Sequence, residues 1–349
     1  MIGLSIAWRL VQAGFRVTVL EKGTIGSEAS WAGAGMLSPG GEVDSPSQFA
    51  AQVVEARGLY RSFVRELEDA SQIAIDYQEC GALDLAYSQP EWTTLTARAV
   101  RQETFGVRSR GVNPQQVAAF WPRVQSHGLV GALFYPDDAI VNPRDLVAAL
   151  TATCRSLEVE FLESSPVYSV RILPSAAEVE TAAGNRLFAA AVIAAGAWSS
   201  SISVENVEAL PMAEPIKGHL IGYQQPAQTC NTILRRGHTY LLQRENGLLI
   251  AGASVEHAGW NRAVDPQIAA GLAQEAASIL PHLAETDPSQ TWIGFRPGSE
   301  RVQVGRWQSD SLYLAYGHFR NGILLAPLTA LHIARAISAS WQTPHSARV

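Results

Sequence analysis

The stretch MIGLSIAWRLVQAGFRVTVLEK, residues 1–22, decides the fold. Ile6, Leu10 and Ala13, with Ile2 a turn earlier, fall on one side of a helix that stops at Gly14. RVTVLEK (16–22) follows as a short β-branched strand ending on an acid. Helix, glycine, strand and terminal carboxylate form the second half of a βαβ unit. A nucleotide-binding unit of this kind carries G-x-G-x-x-G where its first strand meets the helix, and only Gly3 stands here for its last glycine. The helical pattern begins at Met1 with no preceding strand, basic segment or cleavage site, so the expectation is a fold entered partway through its first motif. Glu21 suits a carboxylate accepting from a ribose diol and would repel a 2'-phosphate, although a surface Glu–Lys pair after a packed strand explains it equally.

Composition narrows the class. With 349 residues, 47% hydrophobic and 17% charged, the chain is neither disordered nor short of core, and its irregularly spaced glycines exclude a collagen repeat. The 26 basic and 32 acidic residues give -6, and no Lys/Arg run forms a nucleic-acid stripe. Cys80, Cys154 and Cys230 lie far apart, without zinc or redox spacing, which suits a reducing, cytoplasmic setting. The longest strongly apolar stretch, residues 187–198, falls short of the ~20 residues of a transmembrane segment.

Outward from the first motif, residues 23–41 (GTIGSEASWAGAGMLSPGG) hold six glycines, as in a surface loop or a backbone brought close to a ligand. Residues 47–81 read as mostly helical, 81–138 as short strands with another helix, and NPRDLVAALTATCR (142–155) as a helix introduced by Asn-Pro. Short strands alternate over 159–181. RLFAAAVIAAGAW (186–198) reads as a continuous buried parallel strand, which periodicity alone does not separate from a helix. Several strands and a helix at 266–280 follow, then a strand at 311–317 and a helix over 327–341, with no internal repeat. Dinucleotide-type features recur near 1–40, 186–198 and 311–341, so the fold class is α/β. A Rossmann-like domain lacking its first strand (1–78, 139–208 and 300–349) interleaves with an α+β substrate domain carrying a mostly antiparallel sheet (79–138 and 209–299).

Arg296, in WIGFRPGS (292–299), lies between apolar residues and a Pro-Gly turn; buried, it needs an anionic partner, either a ligand or a structural carboxylate. Tyr240, in GHTYLLQR (237–244), and Arg320, in GHFRNGILLAP (317–327), admit a structural role as well: a strand residue at a wet boundary, and an arginine on a loop carbonyl. His127, His257, His282, His332 and His345 show no metal spacing, and no Ser-His-Asp arrangement is arguable. His219 follows Lys217-Gly218, and His238 is near Tyr240.

GSEASWAGAGM (26–36) with Leu37, Ser38, Pro39 and Glu42 behind it, VIAAGAW (192–198) and GHFRNGILLAP together resemble the D-amino-acid-oxidase-like family of flavoproteins, most of all its thiamine-pathway glycine oxidases, over most of the chain. Members commonly begin with a hydrophobic strand and G-G-G-V-I-G; Met1, Ile2 and Gly3 match its last three positions, Met1 standing for Val. The resemblance implies FAD, with Glu21 and Lys22 at the ribose, Ala29 and Ser30 near the phosphates, and Ala34, Gly35 and Met36 by the isoalloxazine ring. It also implies a Val167 backbone contact to adenine, Gly196 beneath the cofactor, and His318, Phe319, Arg320, Asn321, Gly322, Ile323 and Leu324 as the loop facing the ring. No cysteine lies in that loop, so non-covalent FAD is expected. Tyr240 and Arg296 would grip a substrate carboxylate, with Arg320 closing the pocket. The activity implied is oxidative deamination of glycine or a small amino acid by molecular oxygen, giving the 2-oxo acid (glyoxylate from glycine), ammonia and hydrogen peroxide. A thiazole-forming enzyme would act downstream, and a homo-oligomer is compatible with the sequence. The competing expectations are a sarcosine or D-amino-acid oxidase or dehydrogenase, and a noncatalytic, FAD-deficient protein.

Overall fold

The computed structural model of the chain describes residues 1–227 and 232–342, the side chain of Gln342 excepted; Cys230 and His345 lie outside the described residues. Helices begin where a short polar side chain precedes a proline or a helix-forming run. Ser47 Oγ accepts the Ala50 N–H to start Gln48–Ser71, Asn142 caps Pro143–Ser156, and Asp265 caps Pro266–Ile279. Asn113 and Gln116 form a reciprocal capping box at Pro114–Phe120.

The nucleotide-type half is built from short parallel pairs. Thr18–Leu20 pairs with Glu160–Leu162, and Ala191–Ile193 pairs with Leu312–Tyr316, which is flanked antiparallel by Gln303–Arg306. Among the described residues the two pairs belong to separate sheets. The helix Ile2–Gln12 packs between them and the C-terminal helix Ala326–Gln342. It is buried on more than the one expected side. Leu4, Ala7 and Trp8 enter the main core, Ile6 and Leu10 a second cluster with Tyr313 and Ile333, while Ala13 is exposed.

The other half is an eight-stranded sheet drawn from residues 82–135 and 214–298. Every pairing in it is antiparallel except Ile233–Arg236 against Ala82–Ala86. The architecture is therefore a Rossmann-like part interleaved with an α+β part.

One expectation is corrected. Residues 186–198 are not a single strand: Gly184–Phe188 ends an antiparallel hairpin, Ala191–Ile193 joins the parallel pair, and Gly196–Ser201 turns into a 3-10 helix. The alanines at 189–190 fit any environment, so the chain changes sheet there while keeping an apolar sequence. Leu187, in the middle of the supposed buried run, is 66% exposed.

Candidate functional site

One long cleft runs between the two halves. At one end are Met1 and Ile2 at the start of the first helix, with Ala29 and Ser30; the Met1 amine donates to Ser30 Oγ at 3.0 Å, and burial pulls its pKa down to about 6. Gly33, Ala34, Gly35 and Met36 line the middle, facing His318, Phe319, Gly322 and Ile323. Gly35 has φ +80°, and a Cβ there would run into the Val141 carbonyl. A Cβ on Gly33 would meet Ile323 Cδ1 at 2.7 Å. The glycine loop is thus pressed against its supports, exposing main chain and small side chains to the cleft.

The far end carries Tyr240, Arg296, Arg320 and Glu42. Arg296 comes from the strand Gln290–Gly298 and Tyr240 from Thr239–Gln243. Arg296 Nη1 donates to the Ser254 carbonyl at 2.9 Å; among the described residues it has no ion-pair partner. Burial lowers its pKa, with the nearby Tyr240 opposing that shift. The Tyr240 pKa is raised by burial, against the pull of Arg296 and Arg320, so the hydroxyl stays protonated and can donate. Arg320 pairs with Glu42 at 3.1 Å, and Asn321 Nδ2 donates to the same carboxylate at 3.3 Å. His318 Nε2 lies 3.0 Å from Thr329 Oγ1, and burial depresses its pKa to about 4, making it neutral.

Of the residues singled out from sequence, Met1, Ile2, Ala29, Ser30, Ala34, Gly35, Met36, Gly196, Tyr240, Arg296, His318, Phe319, Arg320, Gly322 and Ile323 converge on this cleft. Others stand outside its lining. Gly3 packs toward Ala194; Glu21 ends its strand and accepts the Gly23 N–H at 2.8 Å; Lys22 sits over the Trp198 ring at 3.4 Å. Val167 begins the strand Val167–Leu173, Asn321 backs Glu42, and Leu324 is in the core. His238 also lines the cleft.

Glu42 gave no sign of its pairing, because Arg320 is far away in sequence. Arg244 was missed altogether. Its fully buried guanidinium donates to the Ala34 carbonyl behind the glycine loop, Nη1 has no partner, and burial lowers its pKa to about 10. In sequence it looks like a strand-end arginine beside a turn.

The cleft has the parts that a dinucleotide with a flat ring needs: a helix N-terminus and serine at one end, a glycine-lined middle, and at the other Arg296, whose guanidinium has no ion-pair partner among the described residues. Neither Cys80 nor Cys154 lines it, and no cluster of His, Cys, Asp or Glu among the described residues could hold a metal. Fold and cleft together define a dinucleotide-dependent oxidoreductase. The chain belongs to the DAO family of FAD dependent oxidoreductases, whose family model matches residues 1–336. FAD is its cofactor. A glycine oxidase of Bacillus licheniformis is 31% identical over 340 residues, covering 97% of this chain and 90% of that protein. The bifunctional protein ThiO/ThiG of Synechocystis is 32% identical over 349 residues, covering 97% of this chain and 50% of that protein. The crystal structure of glycine oxidase from Geobacillus kaustophilus superposes with a TM-score of 0.90 at 28% identity, covering 97% of this chain and 92% of that one.

Proposed function

We propose that this chain oxidises glycine or another small amino acid to the corresponding imino acid, which water converts to the 2-oxo acid and ammonia. The observation that carries the reading is Arg296, a largely buried guanidinium that opens into the cleft with no carboxylate of its own. An unpaired buried cation of this kind is costly unless an anion completes it, and the carboxylate of an amino acid does so in a two-pronged grip. Tyr240 adds a hydroxyl with no hydrogen-bond partner among the described residues, held protonated by its burial.

Bound in the cleft, FAD would supply the acceptor for a hydride from the substrate Cα and the route for those electrons to oxygen. The chain's part is to bind and orient. Arg296 and Tyr240 hold the carboxylate, and Arg320, steadied by Glu42, adds a second guanidinium beside them. Neutral His318 and protonated Tyr240 are poor proton acceptors, so the substrate amine arrives deprotonated rather than being deprotonated by either.

In this reading Ile2, Gly3 and Ser30 hold the pyrophosphate, Glu21 and Lys22 the ribose, Val167 the adenine, and Ala34, Gly35, Met36 and the 318–324 loop the ring. The domain limits drawn from sequence place the cofactor in the discontinuous first domain. Glycine as substrate, oxygen as acceptor and hand-over to a thiazole-forming enzyme are supported by the glycine oxidase and ThiO/ThiG relatives. The test is turnover of glycine, sarcosine, D-alanine and D-proline by the flavin-loaded protein, read as peroxide and as reduction of an artificial acceptor. Glycine turnover with peroxide is expected. Turnover of a larger substrate without glycine would move the assignment to a sarcosine or D-amino-acid enzyme, and reduction of the dye without peroxide would make it a dehydrogenase.

A further inference from the structure

The Lys217-Gly218-His219 step of the strand Glu214–Gln224 lies under Arg296, and nothing above gives it a role. In its antiparallel pairing with Gln290–Gly298, Ile216 faces Arg296 and Gly218 faces Gly294, so these four share one face of the sheet. The Arg296 side chain leans along the diagonal onto Gly218. A Cβ at 218 would meet Arg296 Cζ at 2.6 Å and both terminal nitrogens, so any side chain there displaces the guanidinium. The neighbouring glycine, Gly294, is covered by Ala32, whose Cβ would lie 2.5 Å from a Cβ added there. Two glycines side by side thus make a floor, one half taken by the cofactor loop and the other by the guanidinium.

Lys217 and His219 point to the opposite face and are buried there. His219 Nε2 accepts the Asp265 N–H at 2.8 Å, which leaves the ring proton on Nδ1 to donate to Glu256 Oε1 at 2.7 Å. Ser254 Oγ donates to the same Glu256 oxygen and accepts the His219 N–H at 2.7 Å. Lys217 and Glu256 exchange backbone hydrogen bonds of 3.0 and 2.9 Å, and Lys217 Nζ donates to the Ala263 carbonyl at 2.5 Å. This network ends at the Ser254 carbonyl, the acceptor of Arg296 Nη1.

We propose that Gly218, His219, Ser254 and Glu256 are positioning residues that seat the Arg296 guanidinium and so set the affinity of the cleft for a substrate carboxylate. The inference rests on the amino-acid reading above. A guanidinium is planar, so one hydrogen bond to Ser254 together with a flat floor at Gly218 fixes its tilt and rotation, leaving the remaining N–H groups aimed for two-pronged binding. Pre-setting that geometry removes an ordering cost from substrate binding.

The test uses the flavin-loaded enzyme with Gly218→Ala, Ser254→Ala and Ser254→Thr. Acetate is the probe, its dissociation constant read from the perturbation of flavin absorbance, alongside kcat and KM for glycine. Gly218→Ala and Ser254→Ala are expected to raise both the acetate constant and KM about tenfold while kcat falls less than about threefold, and Ser254→Thr, which keeps the hydroxyl, to restore both. Should Gly218→Ala fail to load flavin, the Ser254 pair decides alone: Ser254→Ala removes the hydroxyl that, through the His219 main-chain N–H and Glu256, holds the Ser254 carbonyl in place under Arg296, and Ser254→Thr keeps it. Acetate binding unaltered in Ser254→Ala, or kcat falling with KM intact, overturns the seat. A wild-type enzyme that binds no acetate and oxidises no amino acid overturns the amino-acid reading and the seat with it, whereas wild-type binding matched by every variant overturns the seat alone.

Discussion

At the scale of single residues, the cleft is an arrangement of guanidinium groups around one phenol. Tyr240 feels Arg296, Arg320 and Arg244, against Glu42 alone among nearby carboxylates. The excess positive charge is what a substrate carboxylate would meet. Arg296→Lys keeps the charge and loses the planar fork, so kcat/KM for glycine should drop about 100-fold, mostly through KM; steady-state kinetics with a KM near wild type would remove Arg296 from carboxylate binding. His318 supplies a pH prediction. Its folded pKa of about 4 lies below the ordinary 6.5, so the unfolded chain takes up a proton that the folded chain refuses. The corresponding stability is complete above pH 6.5, declines as pH falls toward 4, and is worth about 3 kcal/mol over that window. His318→Gln, which cannot titrate, should therefore lose less stability than wild type between pH 7 and pH 4.5. Urea unfolding at the two pH values measures this, and parallel losses in both proteins would show that His318 does not refuse the proton.

At the scale of elements, the glycine loop depends on conformations that only glycine reaches at low cost. Gly35 combines φ +80° with the Val141 carbonyl where a Cβ would go, while Val141 donates its own N–H to the Gly35 carbonyl at 2.9 Å. Gly35→Ala must break this pairing or distort it, so a loss above about 2 kcal/mol is expected together with loss of flavin from the purified protein. A yellow, fully stable Gly35→Ala would mean the loop relaxes freely. Much of this level was legible in sequence. Asn142-Pro143 announced its helix because capping is a local hydrogen bond between near neighbours, and the Asp265 cap of Pro266–Ile279 works the same way. GSEASWAGAGM announced a backbone close to a ligand through its small residues, whereas GHFRNGILLAP was legible through its family resemblance. What stayed hidden depends on pairing across the sheet. Nothing in the sequence around Gly218 says that Gly294 lies beside it, or that Arg296 will lean over it. The run at 186–198 misled for the opposite reason: alanine carries too little preference to mark where a chain leaves one sheet for another.

At the scale of the molecule, one core passes through both walls of the cleft. A single cluster of buried side chains contains Leu4, Leu150 and Leu324 from the nucleotide-type half together with Leu133, Leu242 and Trp292 from the large sheet. Polar ties reinforce it. Trp292 Nε1 donates to the Ala32 carbonyl at 2.9 Å, and the Tyr60 hydroxyl to the Ile323 carbonyl at 2.6 Å, tying the large sheet to the cofactor loop and a long helix to the ring-facing loop. Halves that share a core should unfold together. Thermal melting followed by far-ultraviolet circular dichroism and by release of flavin fluorescence is therefore expected to give one coincident transition. Gly294→Ala sharpens the test, since the added methyl lands on Ala32 and wedges the two halves apart. It should lower both signals together, by about 1–2 °C for each kcal/mol lost. Flavin release moving well ahead of the loss of secondary structure would show instead that the cleft opens while each half stays folded, and that the shared core is weaker than the packing of either side.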